Sequence, residues 1–397
     1  MIDVAGARSA RRRARAEAQA AALSSLQALD WVLLSAVGAL VAYGLWAIAG
    51  ITRFDVEGDA RYYVVRQAIA AAIGAGGLVA ALLVDPDVFR RAKRALYVGT
   101  TVVMLLVFSV GQAARGSTRW IDLGFFQFQP SEFGKLLYAL AIAGFVADRT
   151  RKAPDGRTVL AAVGLGLVPV LLVFAQPDLG TGMVYGAGLA ALLFVGGTRL
   201  THLLALGAAT AAVVAGVLWL APSMGVEILK PYQTARLTGF TNPAQDPSGL
   251  TYNVTQSITA VGSGGLGGRG VGGATQTRLS YLPEHATDFV FASFAEQRGF
   301  VGAAILLLLY LLVVWRGLRV VTVAQDAFSA MVAGAIVAAF LFQVFVNVGM
   351  TMGIAPVTGI PLPFVSVGGS SMVANLIAIG VLQAIHARGG GLRRRGH

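Results

Sequence analysis

Residues 282–314 read LPEHATDFVFASFAEQRGFVGAAILLLLYLLVV. The segment opens on proline, glutamate, histidine and aspartate and turns, from Asp288 onward, into an apolar run. A run of about 20 such residues crosses a bilayer as a helix. Nine more runs of this kind lie outside it, at 28–50, 62–84, 95–114, 130–147, 158–175, 179–196, 201–221, 327–350 and 365–387. The chain is 56% hydrophobic and 13% charged over 397 residues, whereas a soluble domain carries about 25% charged residues. So much apolar surface cannot be hidden from water. The fold expected is an all-α integral membrane protein, a polytopic bundle of about ten transmembrane helices. Asp288 falls where hydrocarbon meets water, and an ionisable group there is costly enough to be a functional candidate by default.

Upstream of this segment lies the longest gap between spans, 222–287, far longer than a turn needs. Its side of the membrane follows from charge. With the N-terminus in the cytoplasm, the inside segments are 1–27, 85–94, 148–157, 197–200, 315–326 and 388–397, and they hold 20 of the 31 Lys and Arg residues. Short cytoplasmic loops are enriched in these residues. Both termini are therefore expected in the cytoplasm of a plasma-membrane protein, as basic tails 1–27 and 388–397 flanking a membrane domain 28–387. The 222–287 loop is then extracytoplasmic. Arg8, Arg11, Arg12, Arg13 and Arg15 read as a topology determinant or as a contact with anionic membrane lipid. The first apolar run is too long for a cleaved signal and reads as a retained span. No cysteine is present, which excludes disulfides, thiolate metal sites and cysteine nucleophiles. The four histidines are scattered and suggest no metal site, and the net charge of +12 is not read as a nucleic-acid footprint, so no such partner is expected.

The informative polar clusters all fall on the outer side. In 116–124, GSTRWIDLG, and 129–135, QPSEFGK, Arg119 is followed by Glu132 and Lys135 at i and i+3 on one helical face, with Pro130 suited to the first turn. This pair is either a local ion pair or part of a pathway. In 176–182, QPDLGTG, Asp178 suits an N-cap. The loop carries GSGGLGGRG at 262–270, which contains GxGxxG. No strand–turn–helix unit surrounds it, so it reads as backbone that must pack closely or approach a ligand, not as a dinucleotide fingerprint. Lys230, Arg236, Arg269 and Arg278 surround it. They are either solvated or bind phosphate, which guanidinium does bidentately. Asn347–Met350 and 359–371, GIPLPFVSVGGSS, predict irregular backbone leading into the last span, tolerated where protein or a wet cavity covers it. Asp288 itself has a plain alternative as the N-cap of its own helix.

These motifs, in this order from about residue 30 to 387, resemble the SEDS family (shape, elongation, division and sporulation) of membrane peptidoglycan polymerases. Thr275–Gln276 before LSYLPE and the Asn347–Met350 run look more like its elongation members than its division members. The family's catalytic aspartate aligns with Asp288 in 275–289, TQTRLSYLPEHATDF. The residue before the threonine is histidine in the usual pattern and Ala286 here, with His285 one place earlier. The usual GKG is Gly268-Arg269-Gly270, and the usual aromatic of SYGGS is Val367.

The resemblance implies polymerisation of lipid II into glycan strands, with release of undecaprenyl diphosphate and Asp288 as general base. Arg119, Lys135, Arg236 and Arg269 are the candidates for stabilising the diphosphate, with Glu132 fixing Lys135. Asp178, Gln276, Glu284 and Ser370 are expected in supporting roles. No cofactor is required, because the lipid diphosphate is already activated; a divalent cation is compatible with a diphosphate, but no ligand cluster demands one. The resemblance also implies a partner, a class B penicillin-binding protein. The competing readings are a flippase or transporter for lipid II and a non-catalytic scaffold. A transporter would carry polar groups at mid-membrane and on both faces.

Overall fold

The computed structural model describes residues 27–110, 112–114, 117–122, 127–150, 153–226, 228–241 and 251–393. The N-terminal tail up to residue 26, the last four residues of the C-terminal tail, and Gly116, Leu123 and Gly124 of the first motif lie outside these residues. Ten long apolar helices stand where ten spans are expected. They are numbered here with the shorter elements in chain order: α1 (Trp31–Ile51), α2 (Tyr62–Leu83), α3 (Pro86–Arg91), α4 (Lys93–Val110), α5 (Pro130–Arg149), α6 (Gly156–Ala175), α7 (Leu179–Val195) and α8 (Leu200–Ser223). Four short helices occupy the long loop: α9 (Pro231–Thr238), α10 (Tyr252–Ser263), α11 (Gly270–Gly273) and α12 (Thr275–Arg278). α13 (Val290–Val323), α14 (Ala327–Thr351) and α15 (Gly369–Arg393) complete the chain. Seven of these helices are long and apolar enough to cross a membrane by length and composition. α4, α5 and α7 take the other three expected places.

Local signals account for the helix ends. Asp30 caps α1 by accepting from the Leu33 N–H at 3.0 Å, Asp155 caps α6 through Thr158, and Asp326 caps α14 through Ser329. Pro130 occupies the first turn of α5, as expected. Asp30 is also gripped by Arg316 at 2.7 Å, while Gln383 exchanges hydrogen bonds with its backbone. One end of α1 is thereby tied to α13 and α15.

Three boundaries differ from the expectation. The span expected at 95–114 stops at Val110, because the chain turns into a small antiparallel sheet, β1 (Gln112–Ala114), β2 (Ser117–Asp122) and β3 (Gln127–Phe128). Ile121 pairs with Phe128 in that sheet, and β2 carries Arg119. The span expected at 365–387 begins at Gly369, since 361–368 is irregular. The span expected at 288–314 begins at Val290, runs to Val323, and breaks at Gly299. Gly299 has φ 66° and lies against the backbone of Leu266 and Gly268, where a Cβ would sit 2.3 Å from the Gly268 nitrogen. Only glycine permits both the left-handed conformation and that approach. The glycine-rich loop is thus a packing device, seated on the break in α13. The leading piece, Val290–Gln297, is buried on every side, with Phe294 against Tyr43 and Trp46 of α1.

Candidate active site

Asp288 sits in a turn two residues ahead of α13. The N–H groups of Thr287 and Phe289 both donate to the Glu284 carbonyl at 3.1 Å, and the Thr287 hydroxyl donates to the Glu284 carboxylate at 2.8 Å. The irregular segment before α15 holds the other side of this turn. Ser366 Oγ donates to the Thr287 carbonyl at 2.6 Å, and the Val367 N–H donates to that of Ala286 at 2.9 Å. The Pro363 and Ser366 carbonyls accept from Tyr310 and Gln67 in turn. Gly359, at φ 71°, lies beside the carboxylate, and a Cβ there would sit 3.2 Å from Asp288 Oδ2. The N-cap position of α13 belongs to Phe289, with no side-chain capping bond. The plain reading of Asp288 as a helix cap therefore does not hold, and its carboxylate is available for other work.

The Asp288 side chain is half-buried, and loss of solvation pushes its pKa up to about 6. The negative charge of Glu284 pushes the same way, and that of Asp178 adds less. Arg236 and Arg119 pull it down. Five charged side chains from four parts of the chain thus share one electrostatic neighbourhood. Asp178 has two jobs in it. It caps α7, accepting from the Thr181 N–H at 3.1 Å and hydroxyl at 3.0 Å, and it pairs with Arg119 at 3.4 Å. Ser370 ties α15 to the sheet, accepting from the Gln129 N–H at 2.9 Å and donating to the Gln127 carbonyl at 2.7 Å.

The remaining expected residues have partners of their own. Glu132 and Lys135 form the expected i, i+3 ion pair at 2.8 Å, nearly buried. They line a cavity of about 50 Å³ between α5, α7, α13, α14 and α15, shared with Gln343 and Asn375. Arg269 is exposed; its guanidinium donates to the Ser263 carbonyl at 3.0 Å and reaches Thr275 Oγ1 at 3.5 Å. Its charge brackets the glycine loop. Gln276 donates its backbone N–H to Glu296 at 2.9 Å. His285 pairs with Asp55 at 3.0 Å, joining the Asp288 turn to the loop after α1. Burial lowers the pKa of this histidine, but the hydrogen bond and charge of Asp55 outweigh that and leave it raised.

Three contributors escape the sequence reading. Glu296, fully buried, accepts from the N–H groups of Gln276 and Thr277 and from the Thr277 hydroxyl at 2.7 Å. Its signal was a carboxylate inside an apolar run. Gln67 and Asp55 had none, because their partners lie 301 and 230 residues away. Among the described residues, no group of three or more His, Asp and Glu side chains is placed to hold a metal ion.

The chain is similar to known proteins over most of its length. The family model described as Cell cycle protein, FTSW_RODA_SPOVE, matches residues 25–389. Stage V sporulation protein E of Bacillus subtilis (strain 168) is 36% identical over 354 residues, covering 88% of this chain and 93% of its own. Peptidoglycan glycosyltransferase MrdB of Escherichia coli (strain K12) is 34% identical over 357 residues, covering 90% and 94%. A chain of a solved peptidoglycan synthase complex, described as coordinating polymerization and crosslinking, matches with a TM-score of 0.77 at 29% identity, covering 91% of this chain and 98% of that one. The crystal structure of the rod shape determining protein RodA of Thermus thermophilus matches with a TM-score of 0.65 at 28% identity, covering 90% and 96%. The chain is a polytopic all-α membrane protein and belongs to the cell cycle protein family that takes in FtsW, RodA and SpoVE.

Proposed function

We propose that the chain, a peptidoglycan glycosyltransferase like the relatives named above, polymerises lipid II during cell elongation with Asp288 as its general base. The observation that carries this reading is a half-buried carboxylate that caps no helix, has a pKa raised to about 6, and lies among two arginines. A base is most useful when its pKa lies near the working pH. Asp288 takes the proton from the acceptor sugar hydroxyl as that oxygen attacks the anomeric carbon of the lipid-linked donor. A new C–O bond forms, the bond from the anomeric carbon to the diphosphate oxygen breaks, and undecaprenyl diphosphate leaves with its electron pair.

Arg119 and Arg236 stabilise the charge that develops on the departing diphosphate. Arg119 is held for this by Asp178. Lys135 and Arg269 are already engaged, by Glu132 and by the Ser263 carbonyl with Thr275 Oγ1, and are given no part in the diphosphate step. No resident cofactor enters the reaction; any divalent cation would arrive with the diphosphate. The site faces the extracytoplasmic side and both termini face the cytoplasm, in line with the Lys and Arg distribution. A class B penicillin-binding protein is the proposed partner, supported by the similarity to a chain of a peptidoglycan synthase complex.

The test is polymerisation of lipid II by purified protein and by Asp288→Asn. General-base assistance is worth about 10²–10⁴ in rate, and a loss of that size is expected. Glycan formed by Asp288→Asn at the parental rate would end the proposal. Movement of lipid II between leaflets without any glycan product would identify a transporter instead.

A further inference from the structure

A second concave site lies at the other end of the bundle. α5 starts at Pro130, beside the Gln129–Ser370 contact of the active-site end, and ends at Arg149. Twenty residues of helix at 1.5 Å each put that end roughly 30 Å away. There, α4, α5 and α6 enclose a groove of about 480 Å³. Its rim carries Lys93, Arg94 and Arg149 against one acid, Asp148. Asp148 is already neutralised twice over, by Arg90 at 2.9 Å and by Lys93. Arg94 makes no ion pair or hydrogen bond with the described residues. Arg149 lies over the Phe145 ring at 3.9 Å, a contact that leaves its edge N–H groups free to donate. Below the rim the groove turns apolar, with Ile142, Val98 and Leu165 as its walls. Val98 and, further along the same helices, Val102, Leu105, Leu167 and Leu171 are exposed on the outer surface of the bundle.

We infer that this groove binds a phospholipid with a net negative headgroup. The headgroup phosphate accepts from the Arg94 and Arg149 guanidinium groups, and one acyl chain descends between α4 and α6 along the exposed apolar residues. Arginine offers phosphate a bidentate fork, and each cation near an anionic lipid surface adds to the attraction. A zwitterionic headgroup brings its own cation to a rim that already has a surplus, so it binds more weakly. The lipid bridges α4 to α5 where Arg90 and Lys93 already clamp Asp148. It belongs to the cytoplasmic leaflet, a statement that rests on the orientation proposed above; the binding chemistry does not.

Native mass spectrometry of the purified full chain tests this with dioleoyl phosphatidylglycerol and dioleoyl phosphatidylcholine. The parent is expected to retain one phosphatidylglycerol in preference to phosphatidylcholine. The Arg94→Gln, Arg149→Gln double variant is expected to lose about thirtyfold in affinity, the size of two cations' attraction. An Arg61→Gln, Arg66→Gln control, charges at the opposite end, keeps parental affinity, and an Arg94→Lys, Arg149→Lys variant keeps most of it. Unchanged glycan polymerisation in detergent shows that the glutamine variant is folded; if it is not, the lysine variant and the control decide. Equal retention of both lipids by the parent, equal loss in the lysine variant, or displacement of the lipid by an equal concentration of inorganic phosphate would each overturn the inference.

Discussion

The side-chain amide of Asn347 donates to the backbone carbonyl of Asp288 at 2.8 Å and to that of Ile360 at 2.8 Å. One buried NH₂ group on α14 thus fixes both the turn that carries the carboxylate and the segment that carries Gly359 against it. Removing it leaves two carbonyls without this donor in a buried setting, a cost of about 1–3 kcal/mol each. Asn347→Ala is expected to lower the thermal stability of the purified protein. It should also cut polymerisation by up to about a hundredfold, through misplacement of the base. The effect should fall on kcat more than on KM, because Asn347 touches the backbone and not the carboxylate. A variant with reduced stability and parental kcat would show that the Asp288 turn holds its position without this clip.

Polymerisation should follow the ionisation of Asp288. With its pKa raised to about 6, the carboxylate is protonated below that pH and cannot accept a proton. The rate is expected to fall about tenfold per pH unit on the acid side and to level off above. Arg236→Gln removes a charge that lowers the pKa, so the midpoint should move to higher pH. Glu284→Gln removes one that raises it, so the midpoint should move to lower pH. A profile flat across this range, or midpoints that move together, would remove Asp288 from the rate-determining ionisation.

The two jobs of Asp178 can be separated. Asparagine caps a helix as well as aspartate does, whereas alanine costs about 1 kcal/mol at that position. Asp178→Asn should therefore unfold close to the parent and Asp178→Ala about that much earlier, since only alanine loses the bonds to Thr181. Both remove the carboxylate that holds Arg119, so both should slow polymerisation alike. Equal thermal stability of the two variants would mean that the cap contributes nothing.

Much of this molecule is legible one segment at a time. The ten apolar runs stand as ten helices because partition into a bilayer depends on about 20 consecutive residues and on little else. Pro130 starts α5, Asp178 caps α7 and Glu132 pairs with Lys135 because each needs partners only one turn away. Asp288 could be singled out because a carboxylate at the mouth of an apolar helix is rare on its face. Local rules failed where a local motif had a distant competitor. The Thr287–Asp288 pair looks like a helix cap, yet Asn347 and Ser366 hold this turn outside the helix, which starts at Val290. The expected span broke at Gly299 because Gly268 comes to meet it.

Composition and hydropathy alone settle that the chain crosses the membrane many times, and charge motifs within single segments settle which residues are costly enough to matter. What sets Asp288 at work is decided elsewhere. Arg119 on β2, Asp178 at α7 and Arg236 on α9 act on this carboxylate only because bundle packing brings three distant segments to the turn that already carries Glu284 and Asp288. Transfer free energy is a property of each stretch of sequence. A shifted ionisation is a property of the spaces between stretches, and those spaces exist only once the helices have packed.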